Sequence, residues 1–285
     1  MRHGIIFVRK EKDMTSYDVI RSLKHKLGIR KIGHAGTLDP FATGLLIIGV
    51  NEGTKVLPYL ENESKEYIAQ LTLGEMRDTY DVTGKVIKKK KVKKHTFEEI
   101  NQALHSFVGV IKQTPPIYSA IKVKGKPLYQ YARENKEVQL KTREQTIYDV
   151  RLMAYEKHKI YFYVKCNKGT YIRSLGVDLA KKLGEVGYLS NLERIAIGPY
   201  KIANVKKIKD ISLNSIIDLK DALKITKITY QKEKEIKNGA PIKLNCTDDL
   251  VLIINKNKAL ALYELNKADM LYYCKRGFHY ENISD

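Results

Sequence analysis

Between Gly33 and Gly44 the chain reads Gly-His-Ala-Gly-Thr-Leu-Asp-Pro-Phe-Ala-Thr-Gly, placing a carboxylate, an imidazole, two hydroxyls, three glycines and a proline in twelve positions. Pro40 disfavours helical backbone at Asp39, and the glycines allow tight turns and close approach to a ligand. Asp39 is therefore expected on a rigid, non-helical loop. A carboxylate held in this way can act as a nucleophile or a base if a nearby cation keeps it ionised. Taken alone, the stretch also fits an ordinary Asp-Pro turn. Gly33-x-x-Gly36 weakly matches the backbone-clamping loop of KH RNA-binding modules.

Other chemistries find no such anchor. The sequence contains no Gly-x-x-x-x-Gly-Lys-Ser/Thr phosphate loop, no His-Glu-x-x-His motif and no Gly-x-Ser-x-Gly elbow, so no cofactor and no metal are expected. Three widely separated cysteines, Cys166, Cys246 and Cys274, form neither a disulfide framework nor a zinc pattern. Lys plus Arg total 52 against 32 Asp plus Glu over 285 residues, a formal net charge of +20. That excess calls for a polyanionic partner. Nearly all of it, +19, falls before residue 231, while residues 231–285 carry +1. Tyrosines interleave with the cations in Lys122-Val-Lys-Gly-Lys126-Pro-Leu-Tyr129-Gln-Tyr131-Ala-Arg133, which suits phosphate contact combined with base stacking, as RNA binding requires. The denser run Lys88–Lys91, Lys93, Lys94 and His95 reads as a solvated loop beyond a hairpin at Thr83-Gly84. No apolar run approaches the roughly 18 residues of a membrane span, and the first ten residues lack a signal-peptide layout, so a cytoplasmic protein without membrane attachment is expected.

The elements that must hold this loop follow from periodicity. A short strand is expected over Gly4–Arg9, then a helix capped at Thr15-Ser16 with Val19, Ile20, Leu23 and Leu27 on one face and Gly28 closing it. Leu45–Val50 has the length of a buried strand, and Tyr67–Leu73 alternates. Thr96-Phe-Glu-Glu99 has capping-box spacing before the stripe Phe97, Ile100, Leu104 and Phe107. Strands are expected at Thr146–Tyr155 and Ile160–Cys166, and a helix over Tyr171–Leu183. Irregular mixing of strands and helices implies an α+β fold with a mixed, mostly antiparallel sheet. A break near residues 225–235 leads to short strands at Leu250–Ile254 and Ala259–Tyr263, expected to form a separate β-rich module.

The twelve-residue segment closely resembles the catalytic motif of the TruB family of tRNA pseudouridine synthases. Further family-like blocks follow in order: Lys65-Glu-Tyr-Ile68, Asp78-Thr-Tyr-Asp81-Val-Thr-Gly84, Pro115-Pro-Ile-Tyr118-Ser-Ala120, Lys168-Gly-Thr-Tyr-Ile-Arg173-Ser-Leu175 and Leu192-Glu-Arg-Ile-Ala196. The resemblance spans roughly residues 4–200. It implies a pseudouridine synthase domain over residues 1–228, with an RNA-clamping insertion at about 115–140, and a PUA-like RNA-binding module over 229–285. The implied reaction turns uridine into pseudouridine at position 55 of the tRNA T-loop, on a flipped-out nucleotide. Asp39 would attack ribose C1′ or take a proton from C2′, Arg173 would orient it, and Tyr67 would stack on the base and shuttle a proton. Leu192 would pack on the other face of the base, and His34 would support the flipped arrangement. Lys10, Gly36 and Thr37 would contact the substrate, while Tyr118, Lys122, Lys126, Tyr129 and Arg133 would clamp the T arm. One departure is visible: where the family commonly reads Lys-Pro-x-Gly, this chain has Lys10-Glu-Lys-Asp13, which puts the shape of that turn in question. A monomer that needs tRNA and no protein partner is implied. The competing readings are a guide-RNA-dependent catalytic subunit and a non-catalytic tRNA folding chaperone.

Overall fold

The computed structural model describes residues 2–134, 136–203 and 205–280. Its main sheet is built from β1 (Gly4–Lys10), β2 (Ile32–Ala35), β3 (Thr43–Val50), β4 (Lys65–Leu73), β5 (Gly109–Gln113), β6 (Arg143–Glu156), β7 (Lys159–Cys166) and β8 (Gly187–Ile197). Across the sheet the order is β1-β3-β8-β4-β7-β6-β5, with β2 paired to β3 and Lys206–Lys207 on the outer side of β1. Most pairs are antiparallel, and β3 meets β8 in parallel at Glu193↔Thr43 and Arg194↔Gly44. The fold is therefore α+β with a mixed, mostly antiparallel sheet.

Helices cover the sheet, among them three longer ones and the short helix Leu57–Asn62, which packs on β2 and β3 through Leu57 and Leu60. In α1 (Ser16–Leu27), Thr15 and Asp18 form the capping box, and Gly28 closes the helix at φ 66°. Its stripe Val19, Ile20, Leu23 and Leu27 packs on Ile6, Val8, Leu46 and Ile48. In α2 (Phe97–His105) the Thr96–Glu99 box is formed and Ile100 and Leu104 are buried, but Phe97, in the first turn, is half exposed. The third helix, α3 (Ile172–Lys182), lies over β4 and β8 through Leu175 and Leu179.

The C-terminal sheet contains β9 (Thr226–Thr229), β10 (Leu250–Asn255), β11 (Lys258–Asn266) and β12 (Leu271–Gly277), with β9 parallel to β10 and the rest antiparallel. This sheet starts inside the stretch expected to be a break. It is not joined by a free linker: Leu252, Ala259, Leu262 and Phe278 share one core with Ile5, Leu45, Ile47 and Tyr200. The unbroken apolar run of β3 now has its reason, since Leu46 and Ile48 face α1 while Leu45 and Ile47 face the C-terminal sheet. Truncation after Ile225 is accordingly expected to strip cover from the body. Burial of Leu252, Leu262 and Phe278 contributes about 1.5–3 kcal/mol each, and each kcal/mol corresponds to about 2–4 °C in a body of this size. Calorimetry should show Tm lower by on the order of 10–30 °C or no cooperative transition; an unchanged Tm would show that the two sheets are energetically independent.

Candidate active site

The loop from Gly36 to Pro40 is held by a different element at nearly every residue. Arg194 on β8 is buried and donates from Nη2 to the Gly36 carbonyl (3.1 Å), from Nη1 to that of Thr37 (3.4 Å), and from Nε to that of Leu45 (2.9 Å). The Leu38 N–H donates to Ser16 Oγ (2.9 Å) in the first turn of α1. The Pro40 carbonyl accepts from the Asp13 N–H (2.9 Å) and from Lys10 Nζ (3.2 Å). At the exit, Gly44 has φ 114°, and a Cβ there would lie 2.3 Å from the Arg194 carbonyl oxygen, so only glycine permits β3 to meet β8. The departure Lys10-Glu-Lys-Asp13 keeps the turn the loop needs: Asp13 takes φ 64°, a left-handed conformation that aspartate tolerates better than most residues with side chains.

Asp39 faces Arg173, the second residue of α3. Oδ1 accepts a hydrogen bond from Nη2 (3.0 Å), and Oδ2 lies in ion-pair contact with Nε at 2.9 Å without a hydrogen bond from it. The same guanidinium donates from Nη1 to the Thr79 carbonyl (2.9 Å) and Asp81 Oδ2 (3.3 Å), and from Nη2 to the Tyr118 carbonyl (3.0 Å). It is buried, so its orientation is fixed before any substrate arrives. Asp81 is fixed in turn, its Oδ1 accepting from Thr79 Oγ1 (2.9 Å) and the Thr83 N–H (2.9 Å). Burial pushes the Asp39 carboxyl above its ordinary range against the pull of Arg173, and the Asp81 carboxylate adds to the upward push.

These groups open onto a cavity of about 340 Å³ lined by Asp39, Tyr67, Leu192, Arg173, Arg194 and Lys65, together with Gly36, Thr37 and the 167–171 turn. Tyr67 and Arg194 are direct cross-strand partners on β4 and β8, and Leu192 follows the period-two rule onto the same face. Burial raises the Tyr67 phenol to about 12, with Arg194 pulling the other way, so it is protonated at neutral pH. Lys65 is buried and donates to the carbonyls of Glu61 and Glu63, with its pKa lowered by burial to about 8. Among the described residues no cluster of His, Cys, Asp and Glu is spaced to hold a metal, and no helix is long and apolar enough to cross a membrane.

The expected site residues separate into three groups. Asp39, Tyr67, Arg173, Leu192, Gly36 and Thr37 line one cavity. Lys10 and His34 are not among its lining residues. Lys10 is fully buried, its ammonium donating to the carbonyls of Glu11, Met14 and Pro40, which makes it a tether of the loop with no free face for substrate. His34 lies on β2 with Nδ1 buried and unpaired, and burial and then Arg194 lower its pKa. The third group forms the insertion: Tyr118 touches the site through its carbonyl, and the hairpin Lys122–Val123/Lys126–Pro127 leads into the helix Leu128–Arg133. There Lys122 and Arg133 are exposed, Arg133 lies 5.5 Å from the Tyr129 ring, and Lys126 is paired with Glu134 at 2.5 Å. Asp81 and Arg194 received no role from the sequence although both sit inside its motif blocks, and with β8 not legible as a strand nothing marked Arg194 as inward-facing.

Residues 24–172 match the TruB family pseudouridylate synthase N-terminal domain. A protein of Mesoplasma florum called tRNA pseudouridine synthase B is 39% identical over 281 residues, covering 97% of this chain and 98% of its own. The chain belongs to the TruB family. A Clostridium tetani protein of the same name is 40% identical over 272 residues and 93% of each chain. The solved Cbf5-Nop10-Gar1 complex contains a chain that superposes with a TM-score of 0.72, at 23% identity over 97% of this chain and 85% of that one, a likeness of fold. As a TruB-family chain, the protein is an isomerase of the pseudouridine synthase type.

The raised Asp39 pKa sets a pH expectation. On the proposal below that Asp39 is the catalytic carboxylate, kcat/KM should climb with pH through an acid limb above the ordinary Asp value of 3.8, not at or below it. A pH-rate profile measured on single turnovers tests this; an acid limb at or below 3.8 would show that the Arg173 pairing dominates over burial.

Proposed function

We propose that the protein converts uridine to pseudouridine in tRNA, at position 55 of the T-loop, with Asp39 as the catalytic carboxylate. The observation that carries this reading is the Asp39 carboxylate, held at both oxygens by buried Arg173, facing a nucleoside-sized cavity walled by Tyr67 and Leu192. In the reaction the N1–C1′ bond breaks, the uracil turns, C5 bonds to C1′, the C5 proton leaves and N1 gains one. Nothing is oxidised and no outside group is consumed. Asp39 either attacks C1′ or takes the C2′ proton. Tyr67, protonated and flat against the base, is placed to pass the proton, and Leu192 holds the other face. The 115–140 insertion clamps the T arm with Tyr118, Lys122, Tyr129 and Arg133, and residues 226–285 act as a PUA-like module on the rest of the tRNA. The protein works alone, as a monomer, in the cytoplasm.

Incubating the purified protein with an unmodified tRNA transcript and with a T-arm hairpin, then mapping pseudouridine, tests the reading. Product at the T-loop uridine in both RNAs, without guide RNA or other proteins and in excess EDTA on the hairpin, is expected. Product only with an added guide RNA would select a ribonucleoprotein subunit instead, and tight binding without product would select a chaperone.

A further inference from the structure

The far end of β4 from Tyr67 carries a second concentration of charge. The hairpin Glu75–Arg77/Val86–Lys89 runs into a strap, residues 90–95, that lies against the body and does not hang free. The Lys90 N–H donates to the Gly74 carbonyl (2.9 Å), Val92 packs on the main core, and the Lys93 N–H donates to Glu185 Oε1 (3.0 Å). Glu185 has a fully buried side chain and also meets His95 Nε2 (3.3 Å) and Lys90 Nζ (3.6 Å). The turn between β6 and β7 arrives at the same place, with the Leu73 N–H donating to the His158 carbonyl (2.9 Å). Lys88, Lys91, Lys93, Lys94, Lys157 and Lys159 are thus gathered at one end of the sheet, all exposed. Among the described residues Glu75 pairs with Lys89 and Arg77 and Glu185 with Lys90 and His95, while Glu156, opposite Lys159 in the β6–β7 register, makes no ion pair with it. Among the described residues none of the six has an ion-pair partner within 4 Å.

Fixing like charges side by side is unfavourable unless an anion arrives, and here a buried carboxylate and backbone hydrogen bonds hold them in place. Six residues of strand separate Leu73 from Tyr67, about 20 Å at the usual rise. That exceeds the roughly 8–10 Å over which physiological salt lets exposed charges act. The cluster can therefore strengthen RNA binding only by touching phosphates itself, well away from the nucleotide in the cavity.

We infer that this lysine pole is a second phosphate-binding surface, engaging the sugar-phosphate backbone of the tRNA outside the T arm. The inference rests on the tRNA substrate proposed above. It is tested with the full chain carrying Lys88→Gln, Lys91→Gln, Lys93→Gln and Lys94→Gln, none of which belongs to the catalytic machinery. Binding of a full-length tRNA transcript and of a T-arm hairpin is titrated across a salt series, with Tm measured alongside. Full-length affinity is expected to fall at least ten-fold at low salt, with a salt slope shallower by about 2–4, while hairpin affinity and single-turnover rate stay within two-fold. Lys157→Gln with Lys159→Gln, on a separate turn, should move full-length binding in the same direction and stands in for the quadruple variant if that variant's Tm falls. An unchanged full-length affinity and slope would overturn the inference, and so would an equal loss on the hairpin, which would place the contact within the T arm. If the unaltered protein makes no pseudouridine in either RNA, the proposed reaction fails, and the binding comparison still decides whether the pole holds RNA.

Discussion

Asp39→Asn is expected to lower pseudouridine formation by at least about 10⁴-fold, the scale seen when the reacting group of an active site is removed. Asparagine retains the shape and can still accept from Arg173 Nη2, so tRNA affinity should stay within a few fold. The linkage sign adds a second readout. Because the folded-state pKa of Asp39 lies above 3.8, the native state keeps its proton to higher pH than the unfolded chain, and ionisation subtracts stability as pH climbs through that window. Removing the ionisable group should leave Tm unchanged or raise it at neutral pH. Multiple turnover by the variant would falsify the assignment of Asp39; a large drop in Tm with lost binding would show that the carboxylate serves the fold.

Arg173→Met should damage both chemistry and fold. The guanidinium is the shared partner of Asp39 and Asp81 and also satisfies the carbonyls of Thr79 and Tyr118, so its loss leaves two carboxylates facing each other and frees both the hairpin tip and the insertion. Breaking a buried ion pair from one side costs about 3–5 kcal/mol. Without its cation Asp39 should hold its proton to still higher pH, moving the acid limb of the rate profile upward, and single-turnover rates at neutral pH should fall about 10³-fold. Arg173→Lys restores the charge but not a fork that reaches four groups, and is expected to recover part of the Tm and little of the rate. Activity within ten-fold of the unaltered protein would sink the role given to Arg173.

Local signals in the sequence carried much of the fold. The N-cap at Thr15, the capping box at Thr96, the closing Gly28, the alternation of Tyr67–Leu73 and the apolar run of β3 each depend on neighbours within a few residues, and the structure forms all of them. Strand β8 was not legible. Its centre reads Leu-Ser-Asn-Leu-Glu-Arg, with a bulge between Leu189 and Asn191 that breaks the alternation, and with an arginine where an inward position calls for an apolar residue. Strand β9 escaped for a related reason: Thr-Lys-Ile-Thr lies in a charged stretch and becomes a strand only by pairing with Leu250–Asn255, more than twenty residues away.

By itself the sequence determined the α+β class, the loop that presents Asp39, and the family-matched identities of Asp39, Tyr67 and Arg173, because short-range backbone preferences and one long motif suffice for those. Tertiary structure alone decided the use of the remaining charges. Lys10 and Arg194 became buried braces of the Gly36–Pro40 loop, Asp81 became the second anchor of Arg173, and the lysine run after the hairpin became a pinned pole held by Glu185. The physical reason is common to all four: a charged side chain's role depends on which carbonyls, carboxylates and solvent surround it, and those neighbours come from segments brought together only when the sheet closes.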